Sequence, residues 1–365
     1  MSMNPEACAL ALKKMSAVAD AELARILEAY ATGPAGRMYQ MLRYFMGYID
    51  AEFKPSSIES GKRFRPALLL LIADGYGVRD KTLAAAVAIE LFHNFTLIHD
   101  DVEDHDEFRR NRPTVWKLWG INHAINAGDA QSLLASEWAL HAGEKAQKPE
   151  LTHALIAAFI EVIEGQYLDF ELASAPLDTP NVNEEGYLQM IEKKSGVLVR
   201  VSAEAAGIAA GKDTKEIKLL REYGTYLGMA YQMADDYRSV WTTQQITGKD
   251  TCSDIREHKR TLPFLYAYEE AKGDAQERLR QLYSLDRQLA EEEIQEVIAI
   301  LDVTSARSRV EEKVREYAAR AKQAAEHLTL PEETKALLGG IVDMLVPEGK
   351  ASGSVRIEHP SIALA

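Results

Sequence analysis

Only two cysteines, Cys8 and Cys252, occur in 365 residues, far apart and without a metal-ligand spacing. This excludes a disulfide framework and a cysteine-rich zinc site, and it fits a reducing, cytoplasmic setting. Net positive charge is also missing. Forty-two Lys and Arg stand against 56 Asp and Glu, giving −14 at pH 7. General binding to nucleic acid or to an anionic membrane surface is therefore not expected. A phosphate-bearing ligand would need positive charge that is local or supplied by metal. Long uncharged apolar runs are absent too. The most apolar stretch, TLAAAVAIELFHNFTLI (82–98), is broken by Glu90, His93 and Asn94, so no integral membrane segment is expected. The first thirty residues scatter charges through their apolar positions, which suits neither a signal peptide nor an anchor.

Alternating strand patterns are scarce, and Pro/Gly punctuation is confined to a few short stretches such as 34–36, 59–62, 110–113, 174–183 and 247–254. Apolar residues instead recur at three and four spacing through 11–30, 66–73, 82–98, 151–172, 197–210, 217–241 and 331–346. With 47% hydrophobic residues, the chain can bury a large core. The reading is a single all-α domain over 1–346, followed by a Gly/Ser-bearing, aperiodic and loosely ordered tail, 347–365.

Charge is concentrated in LIHDDVEDHDEFRRNRPT (97–114), where six acids fall within Asp100 to Glu107 and the pair Arg109–Arg110 follows. Asp100 and Asp104 are four apart, so on a helix both carboxylates project from one face. A solvated acidic helix end satisfies that arrangement. So does a cation such as Mg²⁺, which takes one or two carboxylates and completes its shell with water and phosphate oxygens. A second acid pair, Asp235–Asp236, lies in YQMADDYRSVW among Tyr231, Met233, Ala234, Tyr237, Val240 and Trp241. Unpaired ionised acids are too costly to bury there, so this pair also calls for a partner. Basic residues border these segments: GKRFRP (61–66), Arg109, Arg110, Lys193, Lys194, Lys249 and Lys259. Arginine forks and lysine point charges around metal-binding acids suit a diphosphate.

In chain order, GKRFRP, ELFHNFTLIHDDVEDHDEFRRNRPT, AINAGDA (124–130), GQYLDFE (165–171), KKSG (193–196), YQMADDY and GKDTCSDIREHKRTLP (248–263) resemble the trans-isoprenyl diphosphate synthases, or polyprenyl synthetases, over residues 40–345. The resemblance implies an isoprenoid synthase helical bundle around a central cavity, a homodimer, and three Mg²⁺ ions. It implies that Asp100, Asp104 and Asp235 hold metal. Arg109, Lys194 and Lys249 would contact the diphosphate of an allylic substrate, with Lys259 near it. Lys62, Arg65, His93 and Arg110 would hold isopentenyl diphosphate, and Ser195 and Gln232 would turn oxygen atoms toward the developing carbocation. The implied reaction is prenyl chain extension: ionisation, condensation and proton loss. A class I terpene cyclase has no second diphosphate to hold, so GKRFRP and both Arg109 and Arg110 weigh against it. A regulatory subunit would be expected to lack the first acidic motif, which is intact.

The chain departs from the family pattern at four places. Ser239 stands where a third aspartate is usual, and Asn111, Cys252 and His258 stand near positions often held by glycine. Non-glycine residues resist positive φ, so altered loop shapes are expected at the last three. Product length in this family is set just before the first motif, here at Phe92, Phe95 and Thr96. Phe95, five before Asp100, resembles the aromatic of archaeal enzymes making the twenty-carbon product. Geranylgeranyl diphosphate is thus the expected product, with farnesyl diphosphate as the alternative. On an ideal helical wheel, however, Thr96 and Phe92 face the Asp100/Asp104 side better than Phe95 does. The sequence predicts that Phe95→Ala lengthens the product; an unchanged product distribution, read by chromatography, would remove Phe95 as the floor.

Overall fold

The computed structural model describes residues 4–56, 61–242 and 252–345. Helix α1 (Pro5–Tyr30) begins behind Asn4, whose side-chain oxygen accepts the Glu6 amide, with Pro5 in the first turn where a missing N–H costs nothing. Then come α2 (Gly36–Phe45), α3 (Phe64–Gly75) and α4 (Arg79–Glu103). A short hairpin pairs β1 (Phe108–Arg109) with β2 (Arg112–Pro113). Helices α5 (Val115–Trp119), α6 (Ile121–Ala146), α7 (Pro149–Ser174) and α8 (Glu184–Ile191) lead to one π-helical turn, Glu192–Gly196. Beyond it lie α9 (Val197–Ala209) and α10 (Thr214–Trp241), the latter capped by Asp213 on the Glu216 amide. Six further helices follow: α11 (Ser253–Arg256), α12 (Leu262–Glu270), α13 (Asp274–Leu282), α14 (Glu291–Val303), α15 (Ala306–Glu326) and α16 (Glu332–Asp343).

Helix α4 is the centre of the bundle, packed by α1, α3, α6, α7 and α9. It alone among the described helices is long and apolar enough to cross a membrane, and most of it is buried inside the protein. Its partner α6 presents Ala124, Ala127, Gly128, Ala135, Ala139 and Ala142, so the two backbones lie close. Two buried clusters adjoin. One is built on α1, α3, α4, α6, α7 and α9, the other on α8 and α11–α15. Helix α10 belongs to both: Leu220, Tyr223 and Leu227 enter the first, and Met229 to Val240 the second.

The seven periodic segments fall on α1, α3, α4, α7, α9, α10 and α16, with Val346 outside the described residues, whereas α2, α5, α6, α8 and α11–α15 go beyond them. The expected loop distortions do not occur in the simple form anticipated. Asn111, Cys252 and His258 all hold positive φ (58°, 69° and 58°), and Arg110 does so as well (53°). Arg110 and Asn111 form the two-residue turn of the hairpin, where positive φ at both positions matches the twist of the strands. The glycine-like geometry is adopted at a strain of about 1 kcal/mol per residue. The tail from Pro347 lies outside the described residues.

Candidate active site

Four acids crowd the C-terminal end of α4: Asp100, Asp101 and Glu103, with Asp104 as the C-cap residue. The helix macrodipole places negative charge at that same end, and no basic residue occupies its last turn. Burial, only partly offset by Lys194 and Arg109, pushes the Asp100 carboxyl up to about 6. Asp101 is 1% exposed and is likewise pushed up to about 6 by burial, against the pull of Arg109. Its carboxylate accepts the Arg109 Nε–H at 2.5 Å. Arg109 is therefore a countercharge for Asp101 and faces Asp100 as well, correcting the reading of it as a hand for diphosphate alone. Removing one partner of so buried a pair costs about 3–5 kcal/mol. Glu107 is exposed and paired with Lys117, while Asp106 is partly buried and its carbonyl accepts from Thr114 and Trp116.

The π-helical turn carries Lys193, Lys194 and Ser195. It approaches α7 so closely that a Cβ on Gly165 would lie 2.3 Å from the Lys194 amide nitrogen. Such turns insert one residue into a helix and re-aim the side chains around it. Here Lys193 reaches Glu164, Lys194 reaches Asp169 at 2.5 Å, and Ser195 donates to Gln232 Oε1 at 2.7 Å. Burial opposes the charge of Lys194, yet Asp169 and Asp100 hold it above the ordinary lysine value. Asp169 belongs to GQYLDFE and was missed as the partner of Lys194.

The second acid pair divides. Asp235 is partly exposed, 3.8 Å from Arg238. Asp236 is buried, accepting from Tyr187 at 2.5 Å and Gln232 at 2.9 Å. Burial and the neighbouring Asp254 charge push its carboxyl far up, Tyr187 and Gln232 opposing. Ser239, in the place of a third aspartate, donates to Asp254 at 2.7 Å, so a carboxylate still stands beside that position. Lys259 closes the arrangement, 2.9 Å from Glu257 and 3.7 Å from Asp104. Burial works against its charge, but Asp104, Glu257 and Asp254 raise it overall. Lys259 thereby links Asp104 of the first acidic motif to Glu257, just beyond α11. Among the described residues, no group of three or more His, Cys, Asp or Glu could hold a metal unaided. Hard-cation binding by one or two carboxylates plus ligand oxygens is the chemistry that fits such a donor set.

A cationic cluster flanks the acids. Arg65 Nη1 meets His93 Nε2 at 2.9 Å, and a Cβ on Gly61 would lie 2.6 Å from Arg110 Nη2. Burial lowers Arg65, and burial with Arg63 as neighbour lowers Arg110 to about 10. Burial and then Arg65 hold His93 well below its usual value, so it is neutral at pH 7. Arg65 and His93 thus meet directly, Arg110 lies against Gly61, and the adjacent Lys62 is exposed. Lys249 lies outside the described residues. His99 reaches Ile125 O at 3.2 Å and Asp129 at 3.7 Å, a helix-packing role. An open groove of about 670 Å³ between α8, α10 and α15, lined in part by Glu192, Arg221, Tyr226 and Arg320, holds none of these residues.

Phe92 is 3% exposed and stacks on Phe159 of α7, centroids 4.1 Å apart and planes 3° from parallel. Phe95 packs edge-on against Phe92 and His99, and Thr96 is partly accessible.

An all-α bundle with two acidic motifs bordered by cationic side chains defines a class of site built for diphosphates and hard cations. The sequence model of the polyprenyl synthetase family matches residues 51–301, and the chain belongs to that family. It is 38% identical over 230 residues to a (2E,6E)-farnesyl diphosphate synthase of Mycobacterium tuberculosis, covering 62% of each chain. It is 37% identical over 277 residues to a geranylgeranyl pyrophosphate synthase of Geoglobus acetivorans, covering 73% of this chain and 80% of that one. In structure it resembles a polyprenyl synthetase from Streptomyces coelicolor A3(2), with a TM-score of 0.81 at 31% identity over 93% of this chain and 99% of that one. The fold is the all-α isoprenoid synthase fold.

The raised Asp100 value carries a stability consequence. Its folded value of about 6 lies above the ordinary 3.8, so in metal-free protein its contribution is most favourable below pH 4 and is lost as pH rises toward 6. In chelator, Asp100→Asn should gain about 1–3 kcal/mol relative to wild type between pH 4 and 6, then hold that advantage. Thermal unfolding across pH checks this; a pH-independent difference would refute the titration of Asp100.

Proposed function

We propose that the protein is a short-chain prenyltransferase condensing an allylic diphosphate with isopentenyl diphosphate, and that its product is geranylgeranyl diphosphate. Farnesyl diphosphate is the shorter alternative. The observation carrying this reading is the pairing of two unlike charge clusters. The acids of α4 and α10, with Lys259 beside Asp104 and Asp254, suit a metal-bound diphosphate, while the cationic cluster of Arg65, His93 and Arg110, with Lys62 exposed in the same segment, suits a second one.

Asp100, Asp104 and Asp235 would hold Mg²⁺, three ions by family resemblance, against the allylic diphosphate. When bound, Mg²⁺ supplies Lewis acidity that neutralises the leaving group. Lys194, Lys259 and Arg109 add fixed positive charge, and the resemblance adds Lys249. As the allylic carbon–oxygen bond breaks, its electron pair leaves with the diphosphate. Ser195 retains a lone pair for the cation, whereas the Gln232 oxygen accepts from Ser195 and its amide nitrogen is tied to Asp236. Arg65, Arg110, neutral His93 and Lys62 orient isopentenyl diphosphate so that its double bond forms the new carbon–carbon bond. The proton then passes to the departed diphosphate, which requires no dedicated base from the chain.

Exposed Leu133 and Leu140 on α6, with Ile160, Ile163 and Tyr167 on α7, form apolar rows that suit a homodimer contact. Helix α4 is occupied in the core.

Incubating the purified chain with Mg²⁺, isopentenyl diphosphate and each allylic primer should yield elongated products, and Asp100→Ala should lower turnover by at least about 10²-fold. No elongation with any primer would sink the reading. On the face of α4 that carries Asp104 and Asp100, side chains stay partly accessible as far as Thr96 and are closed off at Phe92. Phe92→Ala is therefore expected to lengthen the product more than Phe95→Ala. The reverse order in the same assay would move the floor to Phe95.

A further inference from the structure

GKRFRP contains three basic residues, and the middle one faces away from the other two. Arg63 is 3% exposed, whereas Lys62 is exposed and Arg65 partly so. It is the N-cap residue of α3 and adopts the left-handed conformation, φ 50° and ψ 39°. Its guanidinium donates from Nε to Asp20 Oδ1 of α1 at 2.8 Å, from Nη1 to Glu90 Oε1 of α4 at 3.0 Å, and from Nη2 to the Met46 carbonyl after α2 at 2.9 Å. Tyr48 supports the same acceptor from beside the guanidinium, donating to Asp20 Oδ1 at 2.9 Å. Asn94 fastens the other, donating to Glu90 Oε1 at 2.7 Å.

A planar fork joined to three elements holds a backbone conformation that an L-residue otherwise resists. That conformation governs how Gly61 and Lys62 enter α3, with Gly61 against the Arg110 guanidinium. Glu90 and His93 are three apart on α4, so they sit on adjoining positions of one face. Arg63 gripping Glu90 therefore fixes the register in which Arg65 meets His93. We infer that Arg63 is a positioning residue for isopentenyl diphosphate: its buried fork to Asp20, Glu90 and the Met46 carbonyl holds Lys62, Arg65, His93 and Arg110 in the geometry that grips this one substrate. This rests on the proposed function.

The test uses the full chain with Mg²⁺ and saturating allylic primer. Arg63→Met strands Glu90 in the interior and is at risk of misfolding, so Arg63→Met/Glu90→Met, which removes both charges of the pair, is made alongside it. Arg63→Lys keeps the charge but not the fork. In each folded variant, KM for isopentenyl diphosphate should rise about tenfold or more, while KM for the allylic primer stays within about twofold. Calorimetry with isopentenyl diphosphate alone should show the same weakening. A folded variant with an unchanged KM for isopentenyl diphosphate overturns the inference, as does an equal rise in both KM values or restoration by lysine. Wild-type protein that extends no primer overturns the proposed function and this inference with it; wild type that extends while the variants match it overturns the inference alone.

Discussion

Charge withdrawn from water has to be neutralised, and most of the site follows from how that demand is met at the end of α4. The helix delivers acids to its own negative pole, where a solvated end would need to be fully exposed. Asp100 and Asp101 are not exposed in that way. The protein resolves one of them internally, by seating Arg109 on Asp101, and leaves the other with partial compensation from Lys194 and Arg109. In the proposed function, the incomplete neutralisation of Asp100 would favour a bound cation there, because a metal would recover the desolvation cost already incurred on folding.

A cluster of opposite charge lies beside it. Arg65, Arg110 and His93 lie near Arg63, which among the described residues is matched by Asp20 and Glu90. Both clusters are thus held by the same scaffold. Helix α4 contributes Glu90 and His93 to one and Asp100 to Asp104 to the other. In the proposed function this single helix, clamped by α6 through small residues, would set the distance between the places for two anions. Rigidity would matter there, because reaction between two bound diphosphates depends on their relative placement more than on the affinity of either.

Much of this was legible in the sequence, with limits that have physical reasons. Large apolar residues at helical spacing marked α1, α3, α4, α7, α9, α10 and α16, because burial of such side chains is what stabilises an amphipathic helix. Helix α6 escaped the same reading since its buried face is alanine and glycine, which signal close approach rather than apolar bulk. The motif residues were found by type and order, but not the direction in which each points. Arg63 and Arg65 look equivalent in GKRFRP; the left-handed turn at Arg63 and the buried Glu90 send them to opposite sides. In sequence Arg109 and Arg110 read as serving two different diphosphates, but the seating of Arg109 on the buried Asp101 is not visible without the hairpin that turns between Arg109 and Arg112. The π-helical turn at 192–196 left no periodic trace, since one inserted residue is too small a change to see without coordinates.

The four departures from the family pattern illustrate how such a site tolerates substitution. Asn111, Cys252 and His258 keep the left-handed backbone that glycine adopts freely, and their surroundings explain how. Asn111 lies in a two-residue turn whose strands favour positive φ, and asparagine tolerates that region better than most residues. Cys252 donates its amide to the Ser239 carbonyl, and His258 donates its own to Ile255, so hydrogen bonds hold both positions. Ser239 is tied into this same loop a second time, through its hydroxyl to Asp254. An aspartate at 239 would set a carboxylate directly against Asp254 and beside the already raised Asp236. Serine exchanges that repulsion for a hydrogen bond and leaves Asp254 as the acid of the loop. The replacement and the loop it contacts therefore read as one adjustment, in which a carboxylate lost from α10 is accommodated by one that α11 already carries.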